Sequence, residues 1–419
     1  MKLLYIVFFT FISYSNCVER FQIYWNVPAK KCTNLSLDDP EASIIHNEKL
    51  VFHGPGADKV AIVYGARFGQ WPHINRESHE QFYGGIPQKG NLTAHFEKLQ
   101  TDLDMLVPNP NFNGLFVIDM ERWIPYYDLN SLNLKIYKNA SLEYAKQQSP
   151  SLNETALEEK ARNDWNKAAK QWFTGTINFV KKKRPGAKIG FYAYPITDHH
   201  VGQHNRTEII ESVQEGNDEM ATWFYSNLDF LMPEIYLRKR VHGNNRMNEW
   251  IHIQANLGEA RRIQDRLQGK HQLVPYTKFE RDPKKGDAPH FYSDVDLCKT
   301  VTLARQMGAN GAIFWSVHHT TREIKSNENG GATCDALTPY VNDRLVPYLA
   351  KDVQAADTCS KKQCSGHGTC YTKKMMTHCE ELPFDEMNCV CDQGWMGDRC
   401  ESELTNKATL DDTTTVQPN

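Results

Sequence analysis

Past its first fifteen residues the chain has no apolar run long enough to cross a bilayer, and the tail after Cys400 is polar. Neither a membrane-spanning helix nor a lipid-anchor signal is therefore expected. A surplus of one charge is also missing: 48 Lys and Arg face 51 Asp and Glu, a net charge of -3. That balance excludes the broad cationic surface of a nucleic-acid binder, so an anionic ligand would have to meet a local patch. Arg238-Lys239-Arg240 and the stretch 278–285 are the candidates. Cysteine is scarce over most of the length, where Cys32, Cys298 and Cys334 stand far apart. Metal-ligand spacing is lacking too. His199, His200 and His204 have no cysteine or acidic set beside them, and His318-His319 read as cleft or surface residues. No metal and no cofactor is expected.

What is present begins with Lys2 and the apolar run Leu3-Leu4-Tyr5-Ile6-Val7-Phe8-Phe9, closing in the small residues Ser13 and Ser15. This is the pattern of a secretory signal, assigned to residues 1–17. Five Asn-x-Ser/Thr sequons, at Asn34, Asn91, Asn139, Asn153 and Asn205, suit glycosylation on a secretory route. The eleven cysteines suit an oxidising compartment. Cys359, Cys364, Cys370, Cys379, Cys389, Cys391 and Cys400 crowd together near the C-terminus, and this change of density divides the chain. Residues 18–352 form a large body, 353–401 a cysteine-rich module, and 402–419 a polar, Thr-rich, disordered tail. The expected product is soluble and extracellular.

Within the body, short β-rich runs at 21–25, 60–64, 115–118, 189–194, 230–236, 273–276 and 312–315 alternate with amphipathic segments. Those segments, at 92–106, 154–183, 208–227, 247–267, 294–307 and 336–349, read as helices. The alternation predicts an α/β fold with a parallel sheet, either a barrel or an open doubly wound sheet. Almost every strand ends in an aromatic or polar residue: Trp25 and Asn26, Tyr64, Asp119 and Glu121, Tyr192 and Tyr194, Glu234 and Tyr236, Tyr276, Trp315. In a barrel such ends converge, where aromatic faces stack on sugar rings and tyrosine hydroxyls add directional hydrogen bonds.

The run Leu115-Phe116-Val117-Ile118-Asp119-Met120-Glu121 delivers two carboxylates two residues apart, which an extended backbone points the same way. Side by side they cannot both ionise easily, so one keeps a proton near neutral pH, as a glycoside hydrolase requires. The same spacing recurs at Asp102/Asp104 and Asp294/Asp296, in helical contexts.

In order along the chain, Tyr24-Trp25-Asn26-Val27-Pro28, Gly84-Gly85-Ile86-Pro87-Gln88, Val117-Ile118-Asp119-Met120-Glu121-Arg122-Trp123, Gly190-Phe191-Tyr192-Ala193-Tyr194-Pro195, Pro233-Glu234-Ile235-Tyr236 and Gly311-Ala312-Ile313-Phe314-Trp315-Ser316 resemble the animal hyaluronidases, glycoside hydrolase family 56. The resemblance implies a distorted TIM-like barrel of about seven strands. It implies an endo-β-N-acetylhexosaminidase acting on β-1,4 links of hyaluronan, or of chondroitin as well, with a glycosaminoglycan as its partner. Glu121 matches the general acid and later base, and Asp119 its proton-sharing partner. Tyr192 and Tyr236 match tyrosines that hold and polarise the substrate's N-acetyl group, and Trp315 the wall beneath it. Tyr64, Tyr276 and Asp282 match further substrate contacts. The nucleophile in that scheme is the substrate's own acetamido carbonyl, one of the exceptions to the two-carboxylate rule, and configuration is retained.

The resemblance also implies a Cys32–Cys334 bridge. The C-terminal pattern, with Cys364-Ser365-Gly366-His367-Gly368 and Cys389-Val390-Cys391, resembles an epidermal growth factor-like module, with bridges Cys359–Cys370, Cys364–Cys389 and Cys391–Cys400. Cys17, Cys298 and Cys379 are left over, open to a free thiol, an extra bridge or an intermolecular bond. The module's partner is not readable.

Four departures stand out, of which the last two bear on substrate preference. Met120 stands for the usual Trp or Phe, and Ile124 takes the place of a second Arg. The loop Ile196-Thr197-Asp198-His199-His200 lacks two cysteines, and Asn256 aligns with a substrate-facing Arg. Two other readings therefore stand beside a hyaluronan hydrolase: a glycosaminoglycan-binding protein with little turnover, and a chondroitin-preferring hydrolase.

Overall fold

The computed structural model describes residues 20–27, 32, 34–47, 57–203, 206–237, 246–269, 271–281, 290–315 and 334–404. The signal segment, Cys17, His204, Asn205, Arg238-Lys239-Arg240, Asp282, His318-His319 and the tail beyond Leu404 lie outside them.

The frame is a set of parallel strands buried on both faces, which is why they read as unbroken apolar runs. In chain order they are β1 (Gln22–Trp25), β2 (Ile44–Ile45), β3 (Val60–Tyr64), the hairpin β4 (His73–Ile74) with β5 (Gln81–Phe82), β6 (Leu115–Asp119), β7 (Lys188–Phe191), β8 (Phe230–Leu231), β9 (Gln272–Leu273), β10 (Tyr276–Thr277) and β11 (Gly311–Phe314). One parallel sheet has the order β3-β6-β7-β8-β9, the other β10-β11-β1-β2. β9 and β10 belong to one extended segment, interrupted at Val274-Pro275 because proline has no N–H for the ladder. Between β2 and β3, a buried side chain stands where backbone pairing would be. Asn47 Nδ2 donates to the Val60 carbonyl at 2.6 Å and its Oδ1 accepts the Val60 N–H at 2.8 Å.

Around the sheets lie α1 (Leu92–Leu106), α2 (Lys135–Gln148), α3 (Glu154–Lys183), α4 (Glu211–Trp223) and α5 (Arg246–Arg266). α6 (Asp294–Leu297) passes through a π-helical turn into α7 (Leu303–Gln306), and α8 (Cys334–Tyr340) does the same into α9 (Val346–Gln363). β2 and the β4–β5 hairpin were not expected from the sequence. The boundary expected at 352/353 falls inside α9, whose buried stripe of Leu349, Val353, Ala356 and Cys359 runs straight across it. Order also extends past residue 402, since Ser402–Glu403 forms a strand with Trp395–Met396.

The cysteine-rich segment is built on the hairpin β12 (Gly368–Tyr371) and β13 (Asn388–Cys391). Five disulfides are formed among the described residues: Cys32–Cys334, Cys359–Cys370, Cys364–Cys389, Cys391–Cys400, and Cys298–Cys379. The last joins two of the cysteines left over by the resemblance. Polar contacts add to it: Arg20 reaches Asp392, Asn310 reaches Thr369, and Arg305 lies between Asp352 and Glu381. Arg20 and Asn310 precede β1 and β11, so the hairpin docks at the N-terminal end of those strands.

Candidate active site

β6 ends at Asp119, which is 8% exposed, while Glu121 lies beyond the strand in the open. Met120 between them turns inward and is buried, fixing the chain so that the two carboxyls meet. They hydrogen-bond to each other, and burial together with the Glu121 charge raises the Asp119 carboxyl well above the usual carboxylate range. The two acids thus meet at the mouth of a cavity. Ile62, Tyr64, Tyr192, Tyr276 and Trp315 complete its wall, and its volume is about 90 Å³. The cavity is small, and its lining is two carboxyls and four aromatic rings with one aliphatic side chain.

The wall is assembled from strand ends. Tyr192 follows β7, and Ala193 after it adopts a left-handed φ of 63°, unusual for a residue with a Cβ. The turn lets Tyr192 face the cavity while Tyr194 enters the aromatic core beside Phe224. Tyr276 is fully buried and its hydroxyl accepts a hydrogen bond from Asn26 Nδ2 at 2.9 Å. Tyr236 does not line the cavity: it stands behind, stacked on Trp315 with the ring centroids 6.2 Å apart. Lys278 Nζ sits 4.6 Å from the Tyr236 ring centre, a cation–π contact. Lys278 is buried against the Tyr236 and Trp315 rings, so it is not part of an exposed cationic patch.

Glu234, counted from the sequence among the converging strand ends, was given no role there. It is 3% exposed and accepts a 2.6 Å hydrogen bond from the Tyr192 hydroxyl. The available signal was the spacing of Glu234 and Tyr236, which puts both on one face of an extended segment. No group of three His, Cys, Asp or Glu side chains that could hold a metal occurs among the described residues.

A family model described as Hyaluronidase, of glycoside hydrolase family 56, matches residues 15–383. The chain belongs to the hyaluronidase family. It is similar to a protein of Caenorhabditis elegans named chondroitin hydrolase, at 31% identity over 91% of this chain and 80% of that one. A hyaluronidase of Loxosceles intermedia is 27% identical over 95% of this chain and 98% of its own. Among solved structures, bee venom hyaluronidase in complex with a hyaluronic acid tetramer matches with a TM-score of 0.68 at 26% identity. That match covers 79% of this chain and 99% of that one. The protein is accordingly a glycoside hydrolase.

Within this hyaluronidase, the loop that lacks two cysteines is pinned by other means. Asn256 is buried, accepting the Asp198 N–H at 2.8 Å. Asn217 both accepts the Ile196 N–H and donates to the Ile196 carbonyl, and Arg206 pairs with Asp198 at 2.9 Å. Asn256 thus holds the loop in place through Asp198.

Proposed function

We propose that this hyaluronidase is a secreted endo-β-N-acetylhexosaminidase that cuts β-1,4 links in hyaluronan by a substrate-assisted, retaining mechanism. The observation that carries this reading is the hydrogen-bonded carboxyl pair Asp119 and Glu121 opening on a cavity walled by Tyr64, Tyr192, Tyr276 and Trp315. Glu121, the exposed member, protonates the glycosidic oxygen as the C1–O bond breaks, while the acetamido carbonyl oxygen closes on C1 to form an oxazolinium ion. Water then attacks C1 as Glu121 takes its proton, which reopens the ring with configuration retained. Asp119 keeps the pair's proton in place, Tyr192 with Trp315 holds the acetamido group, Tyr236 backs Trp315 from behind, and Tyr64 and Tyr276 shape the wall. Asp282 belongs to the same cleft in this reading.

The rest of the proposal concerns organisation. Residues 1–17 are a signal, the sequons carry glycans, and the body is a TIM-like barrel closed at the Asn47 seam. The segment from about residue 353 is an epidermal growth factor-like module of unknown partner.

Glu121→Gln tests the mechanism. The variant should melt like wild type and lose roughly 10³-fold of its hyaluronan-cleaving rate; wild-type digestion by it would remove Glu121 as the acid. Chondroitin belongs in the same assay, because one relative is named for its hydrolysis. Faster cleavage of chondroitin than of hyaluronan by the wild type would replace the substrate proposed here, and cleavage of neither would leave a binding protein.

A further inference from the structure

We propose that Glu234 is a positioning residue that fixes the Tyr192 hydroxyl as a hydrogen-bond acceptor toward the substrate's acetamido N–H. The inference rests on the substrate-assisted reading above. It starts from a count of protons. A phenol has one O–H to give, and Tyr192 gives it to the Glu234 carboxyl oxygen at 2.6 Å. What the Tyr192 oxygen has left is lone pairs, one of which already meets the Tyr236 hydroxyl, so toward the cavity it can only accept. Glu234 itself is not in the cavity wall, whereas Tyr192 is, so the carboxyl acts through the tyrosine.

The direction of that hydrogen bond matters to the chemistry. A tyrosine that donated to the acetamido carbonyl would withdraw electron density from the oxygen that must attack C1. One that accepts from the N–H pushes density toward that oxygen, and meets the positive charge that builds on nitrogen as the oxazolinium forms. A carboxylate behind the phenol strengthens this by placing negative charge along the same line, in surroundings from which water is excluded. No proton is transferred in this role: Glu121 still gives its proton to the leaving oxygen and later takes one from water, and the N–H stays on nitrogen throughout. Ala193, held in the left-handed region, keeps the ring at the angle that joins Glu234 on one side to the cavity on the other.

The test is a cycle of Tyr192→Phe, Glu234→Gln and the double variant, assayed with hyaluronan. Each single variant should lower kcat about tenfold to a hundredfold with KM nearly unchanged, and the double variant should be no slower than Tyr192→Phe alone. Losses that multiply, or a Glu234→Gln enzyme with wild-type kcat, would overturn the inference. Thermal melting of each variant identifies one that has simply lost its fold. Binding of a cyclic thiazoline analogue of the oxazolinium ion then replaces kinetics as the readout, on Glu234→Asp as the second variant. Wild type should bind it, and Glu234→Asp, whose shorter side chain draws the carboxyl away from the Tyr192 hydroxyl, should bind it at least tenfold more weakly. Equal binding by both sinks the role of Glu234 while leaving the substrate-assisted reading intact. A wild type that ignores the analogue sinks that reading, and this inference with it.

Discussion

Asp119 is buried and Glu121 is exposed, and in the proposed reaction this difference in surroundings divides the work of two chemically similar acids. The Asp119 carboxyl is raised by burial and by the neighbouring charge, so the folded protein binds that proton more tightly than the unfolded chain does. Stability therefore falls as pH rises from the ordinary aspartate value of 3.8 through the raised value, and the penalty persists above it. Asp119→Asn removes the penalty. The variant should melt above wild type at pH 7 by an amount that vanishes below the ordinary aspartate range, while hyaluronan cleavage drops about a hundredfold. A melting difference that does not change with pH would show that the proton is not held there. This is strain kept for function: a more stable site is available to the sequence at the cost of its reaction.

Two helices begin at residues that the sequence also marks as glycosylation sequons. Asn91 Oδ1 accepts the Ala94 N–H at the start of α1, and Asn153 Oδ1 accepts the Ala156 N–H at the start of α3. A glycan attaches at Nδ2 and leaves Oδ1 to cap, so the two roles are compatible. In protein made without glycans, Asn153→Asp should keep its stability, whereas Asn153→Ala should lose about 1 kcal/mol in urea unfolding; equal losses would deny the cap. These caps also explain legibility. Residues 92–106 and 154–183 were readable as helices to the residue, because each starts just after its Asn and buries an apolar position every third or fourth residue. β2 escaped because two isoleucines are too short to show a period, and the hairpin because its pairing depends on the turn between, not on apolar alternation. The continuation of α9 was hidden by its thin stripe, Val353, Ala356 and Cys359, and by the cysteines that drew attention to a change of module. Asp119 and Glu121 were visible as neighbours in sequence. Glu234 was not, since its partner lies 42 residues away and only the fold brings them together.

Across the whole molecule, the cysteine-rich segment is bound to the body and yet contributes nothing to the cavity wall. Its anchors are a helix that never breaks, a buried guanidinium between Asp352 and Glu381, and the Cys298–Cys379 bridge, whose members are 81 residues apart. Arg305 is almost wholly buried, and removing it would leave Asp352, also buried, without its counter-charge. Such uncompensated charges cost about 3–5 kcal/mol. Stability and catalysis thus occupy different regions of one body, the carboxylates at the C-terminal end of β6 and the β12–β13 hairpin docked at the N-terminal end of β1 and β11. Replacing Cys298 and Cys379 together with serine separates the two. The loop-closure argument assigns such a bridge up to about 4 kcal/mol, so the melting temperature should fall by several degrees. Hyaluronan kcat and KM, measured well below melting, should stay within about twofold of wild type. A shift in KM larger than that would mean that the module reaches the cleft through a coupling the cavity wall does not reveal.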